Sequence, residues 1–293
     1  MSLNTTELLK KVRKVEIKTR GLSHRLFAGH DHSAFKGRGM SFAEVRPYAY
    51  RDDVRSIDWN VTARCREPFI KTFEEERELT VMLLIDFSRS DNFGSRNMTK
   101  ADLMTEVAAV LSFSAITNND KVGVILFTDR IEKFIPPRKG RKHILRIIRE
   151  LIDRQAQGTG TDIGVGLHYL TNVIKKRCIT FLLSDFLDSA YENELKVATR
   201  KHDLIGVRIY DPLETDLPDA GLICMQDIET GENVWADTSD SRTRANYRKK
   251  QRSYFDYFVN AFRKNGADYL NIRTDEPYFS ALHRFFRQRE TRR

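Results

Sequence analysis

LTVMLLID, residues 79–86, is an apolar run of the length of one buried strand, and it ends in a carboxylate. The next residues, FSRS (87–90), turn polar at once, so the strand stops where Asp86, Ser88 and Ser90 begin. TKADLMTEVAAVLSFSAI (99–116) then carries helical periodicity, and Thr99 with Asp102 has capping-box spacing. Working outward, KVGVILFT (121–128) reads as a second strand and IEKFI (131–135) as a short alternating one closed by Pro136-Pro137. RKHILRIIRELIDR (141–154) puts Ile144, Ile147, Ile148 and Leu151 on one helical face. Beyond the loop QGTGT come a short helix (about 162–175), a strand RCITFLLSD (177–185), a helix YENELKVATRKH (191–202) and a strand DLIGVRIY (203–210). GLICMQDIETGENVWADT (221–238) has the pattern of a hairpin turning at Thr230-Gly231-Glu232. A long helix (241–264), a strand (267–273) and a closing helix (277–289) follow.

Strands that alternate with helices, and that are apolar throughout, predict an α/β doubly wound, mostly parallel sheet covered on both faces. The first 78 residues break that rhythm. An amphipathic helix at about 4–18, a Gly- and His-bearing loop (21–39), and strands at 41–50 and 68–78 around the turn-rich RDDVRSIDWN (51–60) predict a small β-rich attachment. The expected division is therefore 1–78, and 79–293 with a hairpin insertion at about 221–238.

With 40% hydrophobic residues, the chain of 293 residues has the material for a buried core, which excludes a wholly disordered protein. Fifty Lys and Arg against 41 Asp and Glu give a formal charge of +9. The basic residues crowd 10–20, 244–252 and 284–293, and read first as solvated helix faces, with phosphate or anionic membrane surfaces as the alternative. Glu74-Glu75-Glu76 interrupts any simple basic surface, and no compact nucleic-acid motif accompanies the charge. Cys65, Cys178 and Cys224 are far apart with no CxxC pair, which removes the spacing of a zinc or disulfide framework and suits a reducing, cytoplasmic setting. No apolar run approaches the ~20 residues of a spanning helix.

In an open α/β sheet ligands bind where loops leave the carboxyl ends of the strands. Three such loops carry oxygen donors here: Asp86, Ser88 and Ser90 after the first strand, Thr161 in GTGTDIG (158–164), and Asp185 at the end of FLLSD. Carboxylates and hydroxyls are hard ligands suited to Mg²⁺ or Mn²⁺, and so small a set leaves a coordination position for an incoming acidic group. Taken singly, each has a structural alternative: Ser88 and Ser90 as turn caps, Thr161 as a helix N-cap, Asp185 as a strand-end hydrogen-bond acceptor.

Asp-x-Ser-x-Ser with a later Thr and a later Asp resembles the metal-ion-dependent adhesion site of von Willebrand factor A domains, matched by Asp86, Ser88, Ser90, Thr161 and Asp185. The stretch GRGMSFAEVRPYAYRDDVRSIDWNVTARCREPFIKTFEEERE (37–78), running into VMLLIDFSRS, is similar to the bacterial domain of unknown function 58, which has a von Willebrand A-like core. The resemblance covers about residues 35–275. It implies a non-enzymatic interaction module that recruits an acidic protein group through metal, working with a MoxR-type AAA+ ATPase in assembly or cofactor maturation. Many members of that family carry membrane-spanning helices, which this sequence lacks. Arg89, inside the motif, would sit near the metal.

Other candidates are weaker. His30-Asp31-His32 lacks identifiable partner ligands. Asp52, Asp53 and Asp58, interleaved with Arg51 and Arg55, read as a salt-bridged turn, and Trp59, Phe69 and Phe73 as packing material. GxxxxGK[ST] and GxSxG are both absent, which removes a P-loop and a nucleophile elbow. A metal-dependent phosphohydrolase using Asp86 as nucleophile is the enzymatic alternative, weakened because Ser88 stands where such enzymes place an acid/base carboxylate.

Overall fold

The structure, a computed structural model, describes residues 12, 13, 15, 16 and 19, then 41–50, 52–74, 79–88, 93–95, 98–153, 156–158, 160–226 and 233–291. Arg51, Arg89, Ser90, the His30-Asp31-His32 loop, Glu75-Glu76 and the 230–232 turn lie outside the described residues. Two compact units divide the chain: His32–Leu79, and Thr80–Arg293 with Met1–Asp31.

In the smaller unit, β1 (Ser41–Pro47) pairs antiparallel with β2 (Phe69–Glu74). Between them lie a 3-10 turn (Val54–Ser56) and a helix α1 (Trp59–Cys65), where the sequence suggested turns alone. Asp58 explains the helix: its carboxylate accepts from the N–H groups of Asn60 and Val61, a short-range N-cap. Asp53 caps the 3-10 turn in the same way, and Asp52 is gripped by both guanidinium nitrogens of Arg46 at 2.7 and 2.8 Å. Of the expected salt-bridged turn, the described residues show the Arg46–Asp52 ion pair and the caps of Asp53 and Asp58. Trp59, expected to be packing material, is instead 69% exposed, because α1 turns that position outward.

The larger unit is built on β3 (Thr80–Asp86), α2 (Lys100–Thr117), β4 (Lys121–Phe127), β5 (Ile131–Arg138), α3 (Arg141–Ile152), α4 (Ile163–Val173), β6 (Ile179–Ser184), α5 (Glu192–Lys201), β7 (Asp203–Tyr210) and the short α6 (Pro212–Thr215). A two-stranded hairpin β8 (Leu222–Gln226) and β9 (Asn233–Asp237), α7 (Ser241–Lys264), β10 (Asp268–Arg273) and α8 (Tyr278–Thr291) complete it. The sheet order is β10-β7-β6-β3-β4-β5, parallel except for the antiparallel edge strand β5. This is the mostly parallel α/β sheet expected of a von Willebrand A-like core. β5 runs on through Pro136-Pro137 rather than stopping there, since an edge strand need not donate every ladder hydrogen bond.

Strands β3, β4 and β6 are buried along nearly their whole length, as a sheet covered on both faces requires. Helix α2 is buried on all sides rather than along one stripe. Its outer face is covered: Ala109 and Phe113 cluster with Ile144 and Ile148 of α3 and with Val12. Val12 is one of the helical residues near the N-terminus, and Glu16 there accepts from Arg141 Nε at 2.6 Å. That segment therefore belongs with the larger unit, not with the β-rich attachment with which the sequence division grouped it. Its apolar face supplies cover that α2 needs.

Candidate functional site

Strand order reverses between β3 and β6. From β3 the chain continues to β4 on one side, and the later β6 lies on the other, so the carboxyl ends of β3 and β6 flank the crevice where doubly wound sheets bind ligands. Asp86 is the last residue of β3 and Asp185 directly follows β6. Both are buried, as is Ser88.

Local hydrogen bonds fix the Asp86 carboxylate. One oxygen accepts from the Ser88 N–H at 3.0 Å and the other from the Ser184 hydroxyl at 2.7 Å. Ser184 in turn accepts from the Phe186 N–H at 3.0 Å, tying the two strand ends together. Burial, and the neighbouring negative charge of Asp185, push the Asp86 carboxyl up to about 6. Asp185 accepts from the Leu187 N–H at 3.2 Å. The intervening Phe186 has φ 58, a left-handed conformation that a bulky side chain adopts only when its surroundings impose it. Here they do: its ring lies 4.1 Å, centroid to centroid, from Phe258 and 5.6 Å from Phe262, both on α7.

A buried cation that the sequence reading passed over completes the cluster. Lys100, in the first turn of α2, places its ammonium 2.7 Å from Asp185 and 2.6 Å from Glu214 of α6. Arg208 of β7 donates to the Asp185 carbonyl at 3.4 Å and lies over the Tyr210 ring at 4.4 Å. Asp211, at the N-cap of α6, accepts from the Ser95 N–H and the Thr274 hydroxyl, which fastens the segment after the Asp86 loop to the ends of β7 and β10. Nothing in the spacing of Lys100, Glu214 or Asp211 announces them. The only local hint is a lysine opening an otherwise apolar helix.

Thr161 is half-buried and comes to the same end of the sheet. Its loop is held by the Asp162 N–H on the Thr128 carbonyl, at 3.0 Å, and by the Ile163 N–H on Asp188, in the loop that carries Asp185, at 3.0 Å. The structure thus brings Asp86, Ser88, Asp185 and the Thr161 loop to one crevice, while Ser90 lies outside the described residues.

The donor set is compatible with a small divalent cation. Two carboxylates repel each other there, and buried hydroxyls stand beside them. Asp86 accepts from the Ser184 hydroxyl and from both the N–H and the side chain of Ser88, and a carboxylate offers about four lone-pair sites. The carboxylates of Asp86, Asp185 and Glu214 gather here around the cations of Lys100 and Arg208, so the cluster holds buried groups of both signs. Among the described residues no group of three or more His, Cys, Asp or Glu gathers to hold a metal, so serine, threonine and water would have to supply the remaining ligands.

The family model described as Protein of unknown function DUF58 matches residues 44–254. The chain belongs to that family. Rv1480 of Mycobacterium tuberculosis, an uncharacterized protein, is 26% identical over 290 residues, covering 98% of this DUF58 chain and 91% of its own length. Among solved structures, an aerotolerance-related membrane protein from Bacteroides fragilis, with multiple mutations to serines, aligns with a TM-score of 0.49 and 12% identity over 72% of this chain and 99% of that one. The SpRpn10 VWA domain aligns at 0.39 and 14% identity over 70% and 93%. No helix among the described residues is long and apolar enough to cross a membrane.

Proposed function

We propose that this DUF58 chain is a protein-interaction module that captures an acidic side chain of a partner through Mg²⁺ or Mn²⁺ held by Asp86, Ser88, Ser90, Thr161 and Asp185, without chemistry of its own. The observation that carries the reading is the buried carboxylate pair at the switch point of the sheet, with the buried hydroxyl residues Ser88 and Ser184 beside it. A divalent cation held by two carboxylates and a few hydroxyls would keep a coordination position open for a single incoming carboxylate. When bound, the metal supplies a Lewis-acidic docking point for that carboxylate.

The chain's own residues set up this exchange. Ser184 and the Ser88 N–H orient Asp86, Lys100 holds Asp185 in place, and the strained turn at Phe186 aims the loop after β6. The resemblance of the sequence extends the proposal to a MoxR-type AAA+ ATPase as working partner, in the cytoplasm. The test is capture of such an ATPase with Mg²⁺ and with chelator. Capture should need the metal and should vanish in Asp86→Ala, whose fold is checked by circular dichroism. Undiminished capture by folded Asp86→Ala would contradict the reading.

A further inference from the structure

Strands β8 and β9 form a two-stranded sheet of their own, and an isolated hairpin is marginal in water unless something covers a face of it. Ile223, Met225 and Ala236 on one face are half-buried. The opposite face is not: Leu222 is 65% exposed and Trp235 66%, with the exposed Cys224 paired directly across from Trp235. Tryptophan is a costly residue to leave in water and a frequent anchor of protein interfaces.

The helix that leads off this hairpin sorts its charges into two sets. Arg244, Arg248 and Arg252 each pair with an aspartate: Asp219 at 3.4 Å, Asp216 at 2.7 Å and Asp256 at 3.1 Å. Arg242, Lys249 and Lys250 are exposed and make no ion pair among the described residues. Arg242 and Lys249, seven positions apart, share one face of α7, and Lys250 is beside them. This hairpin face, apolar at Leu222 and Trp235 with the exposed Asp237 across from Leu222, is followed along the chain by a ridge of cations that make no ion pair among the described residues. The same helix reaches the carboxylate cluster, since α6 packs on α7 and the half-buried Tyr247 phenol is raised by burial and by the Glu214 carboxylate.

We propose that the Leu222–Trp235 face of the hairpin and the Arg242–Lys249–Lys250 ridge of α7 form a docking surface for an acidic protein segment bearing a large apolar side chain. Charge complementarity selects that occupant: three cations without an ion pair among the described residues, on the helix that follows the apolar anchor, repel a basic segment and favour an acidic one over a neutral one. The inference deepens the interaction reading by naming the partner's chemistry. The surface holds the partner's segment while the metal site takes one of its carboxylates.

The test is selection from a displayed library of random peptides on the full chain, followed by affinity measurement of synthetic versions with Mg²⁺ and with chelator. Enriched peptides should combine net negative charge with aromatic or branched aliphatic residues. Their affinity should fall roughly 30-fold in Trp235→Ser, the usual scale for losing an aromatic anchor. It should fall in Lys249→Glu/Lys250→Glu as well, and weaken with salt. These losses should be the same with and without metal, whereas Asp86→Asn should remove only the increment that Mg²⁺ adds. If that increment is missing but the hairpin and ridge losses stand, the metal reading falls and the docking surface survives. No enrichment, enrichment of neutral or basic peptides, or unchanged affinity in folded Trp235→Ser would overturn it. So would binding confined to anionic phosphatidylglycerol vesicles, which would make the surface a membrane contact.

Discussion

The two ends of the parallel strands β3, β6 and β7 treat burial in opposite ways. At the amino end Cys178 lies 3.2 Å from His202 Nδ1 and 3.4 Å from the Thr180 hydroxyl. Burial pushes the thiol up to about 11 and the imidazole down to about 4, so both are neutral at pH 7. At the carboxyl end Asp86 and Asp185 are as deeply buried, yet the surroundings there are built for ions: hydroxyl and N–H donors on Asp86, an ammonium on Asp185. Burial alone drives a group to its neutral form, and only matched partners keep charge inside a protein. The Cys-His pair is therefore packing, despite its superficial likeness to a nucleophile and base, and the charged chemistry belongs to the other end.

Removing the counter-ion should have the largest effect. Lys100→Met leaves the buried Asp185 and the half-buried Glu214 without their shared cation, and a loss of about 3–5 kcal/mol in urea unfolding is expected. A loss below about 1 kcal/mol would mean that Asp185 and Glu214 find other partners, and the contrast between the two ends would fade. Ser184→Ala removes the hydroxyl from Asp86 and should cost about 1.5–3 kcal/mol, the range for a hydrogen bond to a charged group. Cys178→Ala, at the neutral end, should cost less than Ser184→Ala in the same experiment.

The pH dependence of stability sharpens the comparison further. Asp86 is raised from its ordinary 3.8 to about 6, so across that window the native chain holds a proton that the unfolded chain has released. Its contribution to stability is present at low pH and is lost as pH rises through about 6. His202 runs the other way: lowered from 6.5 to about 4, it contributes stability above 6.5 that is lost as pH falls through about 4. Each slope can reach about 1.4 kcal/mol per pH unit. Asp86→Asn should remove the first slope and His202→Leu the second, in metal-free unfolding curves recorded from pH 4 to 7. The same sign in both variants would contradict the assignment. The smallest effect should come from Trp59→Ser: at so exposed a position the change should stay within about 0.5 kcal/mol.

Much of the sheet could be read from the chain. The segments 79–86, 121–128, 203–210 and 241–264 end within about a residue of β3, β4, β7 and α7, because unbroken apolar runs and long amphipathic periods leave little choice of element. Reading failed where position in the fold mattered more than composition. The prolines of β5 stop a central strand but not an edge strand, and α1 depends on a cap formed by one aspartate among several. Around the candidate site, the meeting of Asp86, Ser88 and Asp185 was legible because all three follow the carboxyl ends of neighbouring strands. Lys100 and Glu214 were not, since a contact across 85 residues of chain leaves no mark in local spacing.

The central claim is that the buried carboxylates of β3 and β6 form a divalent-cation platform. Calorimetric titration of the chain with Mg²⁺ and Mn²⁺, beside Asp86→Asn, tests it most directly. One saturable site in the wild type, absent from the folded variant and weakening as pH falls below about 6, is the expected result. Equal heats from wild type and Asp86→Asn at every pH would contradict it.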